Sequence, residues 1–466
     1  MQGEPTKYPF KSRSFTRMNS NNNYPRLLIV SHNPFSLINN GKTFTALFKG
    51  WPKDNIAQLY LSTDVPDFSV CHKFFQLHDI DILRRALFNR RVRGRRITYS
   101  DLPQMIAFRH TITTDHFLQL LRGHVDPFSL IARDLLWNIA GYKTRELQRF
   151  IDEFDPHVVY FQSYKSVFAF SIAKWLCKSK SIPLIIGITD DQVSGKFTLD
   201  PFFWIQLTRV KRAFKSLILS SDVLCGGCIA LGGDRMAEEY KSRFGGNYIV
   251  AMNAIAEPDL PNHTPINGLV KFMYAGCLGL SRWKVLALIA ECLEELYRDE
   301  DIHGELSIYS FDQPRAKASA LLNTPHCCSF NGVLNADQLS TAKAHSDVLV
   351  HVESFDKKNK HITRLSMSTK IPEYLASRRC IFAVGPGDVA SMQYLVDYDL
   401  GITVVSDNKA TIKEALRKII RDAEMRSMYA NKGVEVAKLR HNADKTAESV
   451  FQMISAAVNM TDCKRG

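Results

Sequence analysis

Leu27–Val30 is a short apolar run between Pro25 and the polar turn Ser31-His32-Asn33-Pro34. A run this short, apolar at every position and bounded by turn residues, predicts a strand buried on both faces of a parallel sheet. The pattern recurs at Ala57–Leu61, Val158–Phe161, Pro183–Ile188, Val223–Leu224 continuing to Ile229–Ala230, and Tyr248–Val250. Between these runs the apolar residues fall three and four apart, which predicts helices over Thr43–Lys49, Leu135–Phe154 and Val167–Cys177. In the second of these, Leu136, Ile139, Leu147 and Phe150 are the expected core positions.

After Asn253 the pattern changes. Glu257–Pro265 carries three prolines in nine residues and no apolar period, which predicts an extended linker. A second series follows, with strands expected at Val270–Tyr274, Leu306–Tyr309, Val348–Val350, Ile381–Val384 and Ile402–Val405. Lys284–Tyr297 is an expected helix. The fold class is therefore α/β, with two Rossmann-like, doubly wound parallel sheets facing a cleft. The expected organisation is a flexible tail over 1–24, a first domain over 25–256, a linker over 257–268 and a second domain over 269–440. A C-terminal helix and tail over 441–466 is expected to pack back on the first domain. In such sheets ligands sit beyond the carboxyl ends of the strands, so chemistry is sought in the loops that follow them.

The 466 residues carry a formal charge of +13, unevenly spread. Seven arginines (84, 85, 90, 91, 93, 95 and 96) fall between Arg84 and Arg96, a cluster that suits an anionic surface. A solvated loop without a partner is the plainer reading. No nucleic-acid motif accompanies the cluster, so an anionic membrane is the expected partner and nucleic acid is not. Ten cysteines lack zinc spacing; Cys225 and Cys228 form a C-G-G-C pair, read as small buried thiols before a redox pair. No metal and no cofactor are expected. The first residues are polar and basic without an apolar core, and no apolar run approaches the ~18 residues that span a bilayer. The expected location is cytoplasmic, peripheral at the inner face of the membrane.

The richest loop is Arg364-Leu-Ser-Met-Ser-Thr-Lys-Ile-Pro-Glu-Tyr-Leu-Ala376. Ser368 or Thr369 suits an N-cap, and Pro372 is tolerated in a first turn whose amides lack helical partners. Free amides, the hydroxyls of Ser366, Ser368 and Thr369, and the Lys370 cation suit a phosphate. Glu373, one turn on, suits the two hydroxyls of a ribose. Simple capping with a Lys370–Glu373 surface pair explains the same residues. In Tyr274–Lys284, Gly276 and Gly279 permit close backbone approach, and Arg282 at a helix start suits a diphosphate. Asp347–Asp356 delivers His351, Glu353 and Asp356 to a strand end. There Glu353 suits sugar hydroxyls or catalysis as well as holding the loop, and His351 reads as structural. In the first half, Gly41 opens a helix after the first strand, and Asp190 with Asp191 ends another. The paired carboxylates suit a metal ion or a base on the acceptor side, and equally a turn cap.

The order and spacing of these segments resemble the GT-B glycosyltransferases, nearest to glycosyltransferase family 4 and its relatives. The resemblance rests on Tyr274-Ala-Gly276 with Arg282, Asp347-Val-Leu-Val-His-Val-Glu353, Ser368-Thr-Lys-Ile-Pro-Glu-Tyr-Leu-Ala376 and Gly385-Pro386. In the first half it rests on Asn40-Gly-Lys-Thr43 and on Ile182-Pro183 leading to Asp190-Asp191. It implies that Glu373 is the ribose-binding second glutamate of E-x7-E. It also implies that Arg282, Lys370 and the neighbouring hydroxyls hold the donor diphosphate, with Gly41 nearby. The implied reaction moves a sugar from a nucleoside diphosphate sugar to a saccharide or lipid-linked acceptor, with protein cations in place of a metal. The expected setting is surface polysaccharide or glycolipid assembly. Two departures stand out. Leu365 occupies the place of the first glutamate, and Gln162 or Ser163 stands near the place of a frequent first-domain histidine. They leave open the stereochemical outcome, a nucleotide-sugar epimerase of the same architecture, and a catalytically silent binding protein.

Overall fold

A computed structural model describes residues 24–36, 41–88, 94–107, 126–196, 198–255 and 269–465. The N-terminal tail to residue 23 and the linker over 257–268 lie outside them. So do the side chains of Arg84, Arg85, Arg90, Arg91 and Arg93.

The chain forms two sheets. The first contains β1 (Leu27–Ser31), β2 (Ile56–Tyr60), β3 (Lys73–Gln76), β4 (Arg95–Ile97), β5 (Val158–Gln162), β6 (Leu184–Ile188), β7 (Cys225–Ala230) and β8 (Tyr248–Val250), in the order β4-β3-β2-β1-β5-β6-β7-β8. The second contains β9 (Val270–Ala275), β10 (Gly304–Tyr309), β11 (Cys328–Phe330), β12 (Val348–Val352), β13 (Cys380–Val384) and β14 (Ile402–Val404), in the order β11-β10-β9-β12-β13-β14. All pairings are parallel except β3 with β4. The unbroken apolar runs follow from burial on both faces. Leu28 and Val30 enter one core cluster, and Leu27 and Ile29 the other. In the second sheet Phe272 and Val348 point one way, Met273 and Leu349 the other. All ten cysteines are free thiols, and seven are buried as small core side chains.

The structure corrects the sequence reading in two places. The single helix expected over Leu135–Phe154 is two, Pro127–Ala140 and Arg145–Phe154. Gly141 ends the first with φ 73°, and the Thr144 side chain caps the second by accepting from the Leu147 amide. Ile139, expected in the core, is therefore exposed. The periodicity concealed this break because both helices carry apolar residues at compatible spacing. The short strands β3, β4 and β11 were not visible, because KFFQ, RRI and CSF carry too little apolar pattern to register. Within the arginine cluster, Arg96 pairs with Glu153 at 2.5 Å.

Both sheets change strand direction of progression at their centres, between β1 and β5 and between β9 and β12. The crevices at these two positions are where a doubly wound sheet receives ligands. Arg364, Leu365 and Arg440 join the halves. Arg364 makes a bidentate pair with Glu239, at 2.7 and 2.6 Å. Leu365 is buried in the core of the first sheet. Arg440 pairs with Asp234 at 2.5 Å. The C-terminal helix Ala443–Arg465 then lies on the first sheet, where Val450, Ile454 and Ala457 pack with Leu27, Ile29 and Ile229. Gly226 makes this docking possible, because a Cβ there would stand 2.3 Å from the Ala457 Cβ. Gly226→Ala is expected to lower stability by about 1–3 kcal/mol through overpacking. Urea denaturation checks this, and an unchanged midpoint would contradict the docking of the helix on β7.

Candidate functional site

The loop after β9 is built to bring backbone close to a bound group. Tyr274, buried, donates its hydroxyl to the Cys277 carbonyl at 2.6 Å and so closes the turn. Asp312, in the loop after β10, accepts from the Leu278 and Gly279 amides at 2.7 and 3.1 Å. Leu280 and Ser281 both adopt positive φ, 54° and 61°, a costly conformation for residues with side chains. The strain falls immediately before the helix Arg282–Glu300, so it sets the direction in which Arg282 leaves the backbone.

Arg282 reaches across from the end of β9 to the end of β12. Its Nη2 lies 3.1 and 3.0 Å from the two carboxylate oxygens of buried Glu353. Burial pushes the Glu353 carboxyl up, and the guanidinium opposes that shift. Gly385, at the end of β13, lets this arrangement form, because a Cβ there would stand 2.8 Å from the Glu353 Cβ. His351 is buried beneath, with Nε2 3.2 Å from the Ser391 hydroxyl. Burial, reinforced by the nearby Lys370 and Arg282 charges, lowers its pKa to about 3, so the ring stays neutral.

Lys370 completes the cluster. Its ammonium lies 4.5 Å from the centre of the Tyr274 ring, a cation–π contact. It also occupies the space a side chain on Gly276 would need, since a Cβ there would stand 1.7 Å from Nζ. Burial, and next the repulsion from Arg282, bring the Lys370 pKa down to about 8. The helix Lys370–Ala376 is tied to β9 by the Ala275 amide, which donates to the Tyr374 hydroxyl at 3.4 Å. Thr369 is its N-cap residue but makes no side-chain cap bond. Ser366 and Ser368 are half-buried beside it. Glu373 is exposed, one turn beyond Lys370, with Oε2 3.3 Å from Lys343 Nζ. The helix has seven residues, so the positive character of the site comes chiefly from Arg282 and Lys370.

The structure thus gathers Arg282, Glu353, Lys370 and Glu373, with Ser366, Ser368 and Thr369 on the adjoining turn. The candidates of the first half have other surroundings. Asp191 accepts from the Val193 and Ser194 amides at 3.1 Å each and faces Arg364 at 3.9 Å, which is a turn cap. Asp190 is exposed beside it. Gly41 begins the helix Gly41–Leu47, and what surrounds it lies outside the described residues. Gln162 is fully engaged: Oε1 accepts from the Tyr160 hydroxyl at 2.8 Å, and Nε2 donates to Gly187 O and to the Thr189 hydroxyl. Ser163 is buried and accepts from the Gln192 amide. Among the described residues no group of three His, Cys, Asp or Glu side chains is placed to share a metal ion.

Sequence reasoning missed four contributors. Asp312 carried a usable signal, an acidic residue just past a strand end. Tyr274 was read as part of a strand, and its service under Lys370 appears only in three dimensions. Lys343, the partner of Glu373, sits at the end of a different helix. His32, directly after β1, stacks on Tyr164 at 4.6 Å and marks the crevice of the first sheet.

No protein-family model and no curated protein sequence matches this chain. Solved structures do. A glycosyltransferase of Rickettsia africae superimposes with a TM-score of 0.57 at 10% identity, over 93% of this chain and 99% of its own. Anabaena HepE in complex with UDP gives 0.55 at 10% identity, over 92% and 100%. Sucrose-phosphate synthase of Thermosynechococcus elongatus gives 0.54 at 11% identity, over 92% and 98%. The chain has the GT-B fold of these proteins.

The place of the missing glutamate has a structural explanation. Leu365 is buried among apolar side chains of the first domain, and its carbonyl would stand 2.6 Å from a Cβ on Gly232. A carboxylate there would have to enter a core without a partner. Leu365→Glu is expected to lose about 3 kcal/mol or more of stability. Denaturation at neutral pH checks this. Full stability would show that residue 365 faces the cleft.

Proposed function

We propose that the protein is a glycosyltransferase that moves a sugar, most simply a hexose, from a nucleoside diphosphate sugar to an acceptor hydroxyl. The observation that carries this reading is the charge at the β9/β12 crevice. Two cations, Arg282 and Lys370, stand against the single buried carboxylate Glu353. A diphosphate supplies the missing negative charge. Bond cleavage at the anomeric carbon leaves a nucleoside diphosphate, and both cations stabilise the charge that develops on it. Preorganised cations act in this way without a metal, so the proposed reaction is metal-independent.

In this reading Arg282 and Lys370 hold the diphosphate, with Ser366, Ser368 and Thr369 beside it. Glu373 releases Lys343 and accepts from the ribose hydroxyls. Glu353 holds Arg282 in place and faces the sugar. The domain boundaries expected from the sequence give a donor domain over 269–440 and an acceptor domain over 25–256. Surface polysaccharide or glycolipid assembly at the inner face of a membrane is the proposed setting. Anabaena HepE has been solved with UDP-glucose, so UDP is the first nucleotide to test. A second reading, a silent nucleotide-binding protein, draws support from Leu365. Donor turnover on a lipid-linked or saccharide acceptor separates the two, and epimerised free donor would point to an epimerase instead.

Thermal-shift screening against UDP, GDP, ADP and TDP is expected to pick out one base. Glu373→Ala should weaken binding of that nucleotide at least tenfold, about 1.4 kcal/mol, with little change in stability because the side chain is exposed. Arg282→Ala should weaken it similarly and also destabilise the fold by about 3 kcal/mol, because Glu353 is left buried without its partner. Calorimetric affinity unchanged in both variants would refute the donor site. Gly276→Ala is expected to displace the Lys370 ammonium and weaken binding about tenfold while the core stays folded. Wild-type affinity in this variant would place the phosphates away from Lys370.

A further inference from the structure

Two helices of the first domain expose apolar side chains and meet at an aromatic contact. On Pro127–Ala140, Phe128, Leu135 and Ile139 are 57%, 53% and 80% exposed, and their spacing puts them on one stripe. On Pro201–Ile218, Phe202, Trp204 and Ile205 are 41%, 46% and 49% exposed. The Phe128 and Phe202 rings meet at 5.2 Å, so the two exposed apolar sets adjoin there. Leu199, in the loop before the second helix, is 95% exposed. Scattered exposed apolar residues are ordinary, but a joined face of this kind marks an interaction surface.

The charges on the same face select its partner. The helix Pro201–Ile218 contains no carboxylate, and its exposed side includes Arg212 and Lys215. The one carboxylate within Pro127–Ala140, Asp134, is buried and paired with Arg209 at 3.0 Å. Asp126 and Asp200, at the helix starts, are engaged as N-caps. Lys196 is exposed beside Leu199, with its ammonium 4.8 Å from the Phe203 ring centre. Aromatic and aliphatic side chains bordered by lysine and arginine, with partly exposed carboxylates only at the two N-caps, complement an anionic bilayer interface.

The geometry points to this face as a membrane-docking surface, with anionic lipid headgroups on Lys196, Arg212 and Lys215 and the apolar side chains in the interfacial layer. The segment that leads to it starts at the cleft: Ser194 accepts from Arg364 Nη2 of the second domain at 2.9 Å, and Leu199 follows five residues later. An acceptor embedded in the bilayer would meet the cleft at its edge. That last clause rests on the transferase reading, whereas the docking surface does not.

Co-sedimentation of the full chain with phosphatidylcholine vesicles, with and without phosphatidylglycerol, tests the proposal. Binding is expected with phosphatidylglycerol, weakened by salt. Leu199→Asp combined with Ile139→Asp should lower vesicle partition at least tenfold, and so should Arg212→Glu combined with Lys215→Glu. Both variants are expected to keep the wild-type circular dichroism spectrum and UDP affinity. No binding of the wild type to anionic vesicles would overturn the proposal. So would wild-type partition in the Leu199/Ile139 variant, or a wild-type dimer in sedimentation velocity that this variant dissociates, which would put a second copy on the face. UDP titration of the wild type is read separately: its failure would remove the transferase reading and leave the vesicle result to decide the surface.

Discussion

An imbalance of buried charge organises the second domain. Arg282 and Lys370 share one poorly solvated crevice with one carboxylate, Glu353, and removing charges from water is expensive unless they are matched. The surrounding features serve that cluster. Gly276 leaves room for the Lys370 ammonium, and the Tyr274 ring lies against it. Gly385 lets a backbone turn close over Glu353. Asp312 fixes the strained turn from which Arg282 departs. Under the proposed function a diphosphate would balance the excess positive charge, and the low dielectric would make it worth more there than at an exposed surface.

The two halves are joined by a few specific contacts. Leu365 is an apolar plug in the first core, and Arg364 beside it makes a bidentate bond to Glu239. His441, buried where the chain returns to the first domain, bonds the Asn253 carbonyl and the Tyr394 hydroxyl. Burial lowers its pKa to about 4, so this joint keeps a neutral ring at physiological pH. The segment that begins with Leu365 thus serves both domain docking and the crevice that holds Lys370. That shared use accounts for an apolar residue where the resembled family carries a sugar-contacting glutamate.

Much of the architecture was legible because its strands are buried on both faces, which leaves unbroken apolar runs such as Leu27–Val30 and Val348–Val350. What the sequence concealed was either short or relational. β3 and β4 lacked apolar pattern, and Gly141 broke a helix whose two parts kept compatible periods. In the site, residues following strands were visible as candidates, and Arg282, Glu353, Lys370 and Glu373 do converge. Their pairing was not visible. That Arg282 is held by Glu353, and Glu373 by Lys343, depends on distances between segments far apart in the chain.

If a nucleoside diphosphate binds against Arg282 and Lys370, its binding is linked to the protonation of Lys370. Free Lys370 titrates near pH 8 because burial and Arg282 disfavour its charge. A bound diphosphate favours the charged form and raises that pKa, so binding near pH 8 must take up protons. Titration calorimetry with UDP at pH about 8, in two buffers of different ionisation enthalpy, reads this uptake. The expected result is a net uptake of a fraction of a proton, affinity that declines as pH rises through 8, and loss of both effects in Lys370→Met. UDP binding with no proton uptake and no pH dependence in this range would contradict it.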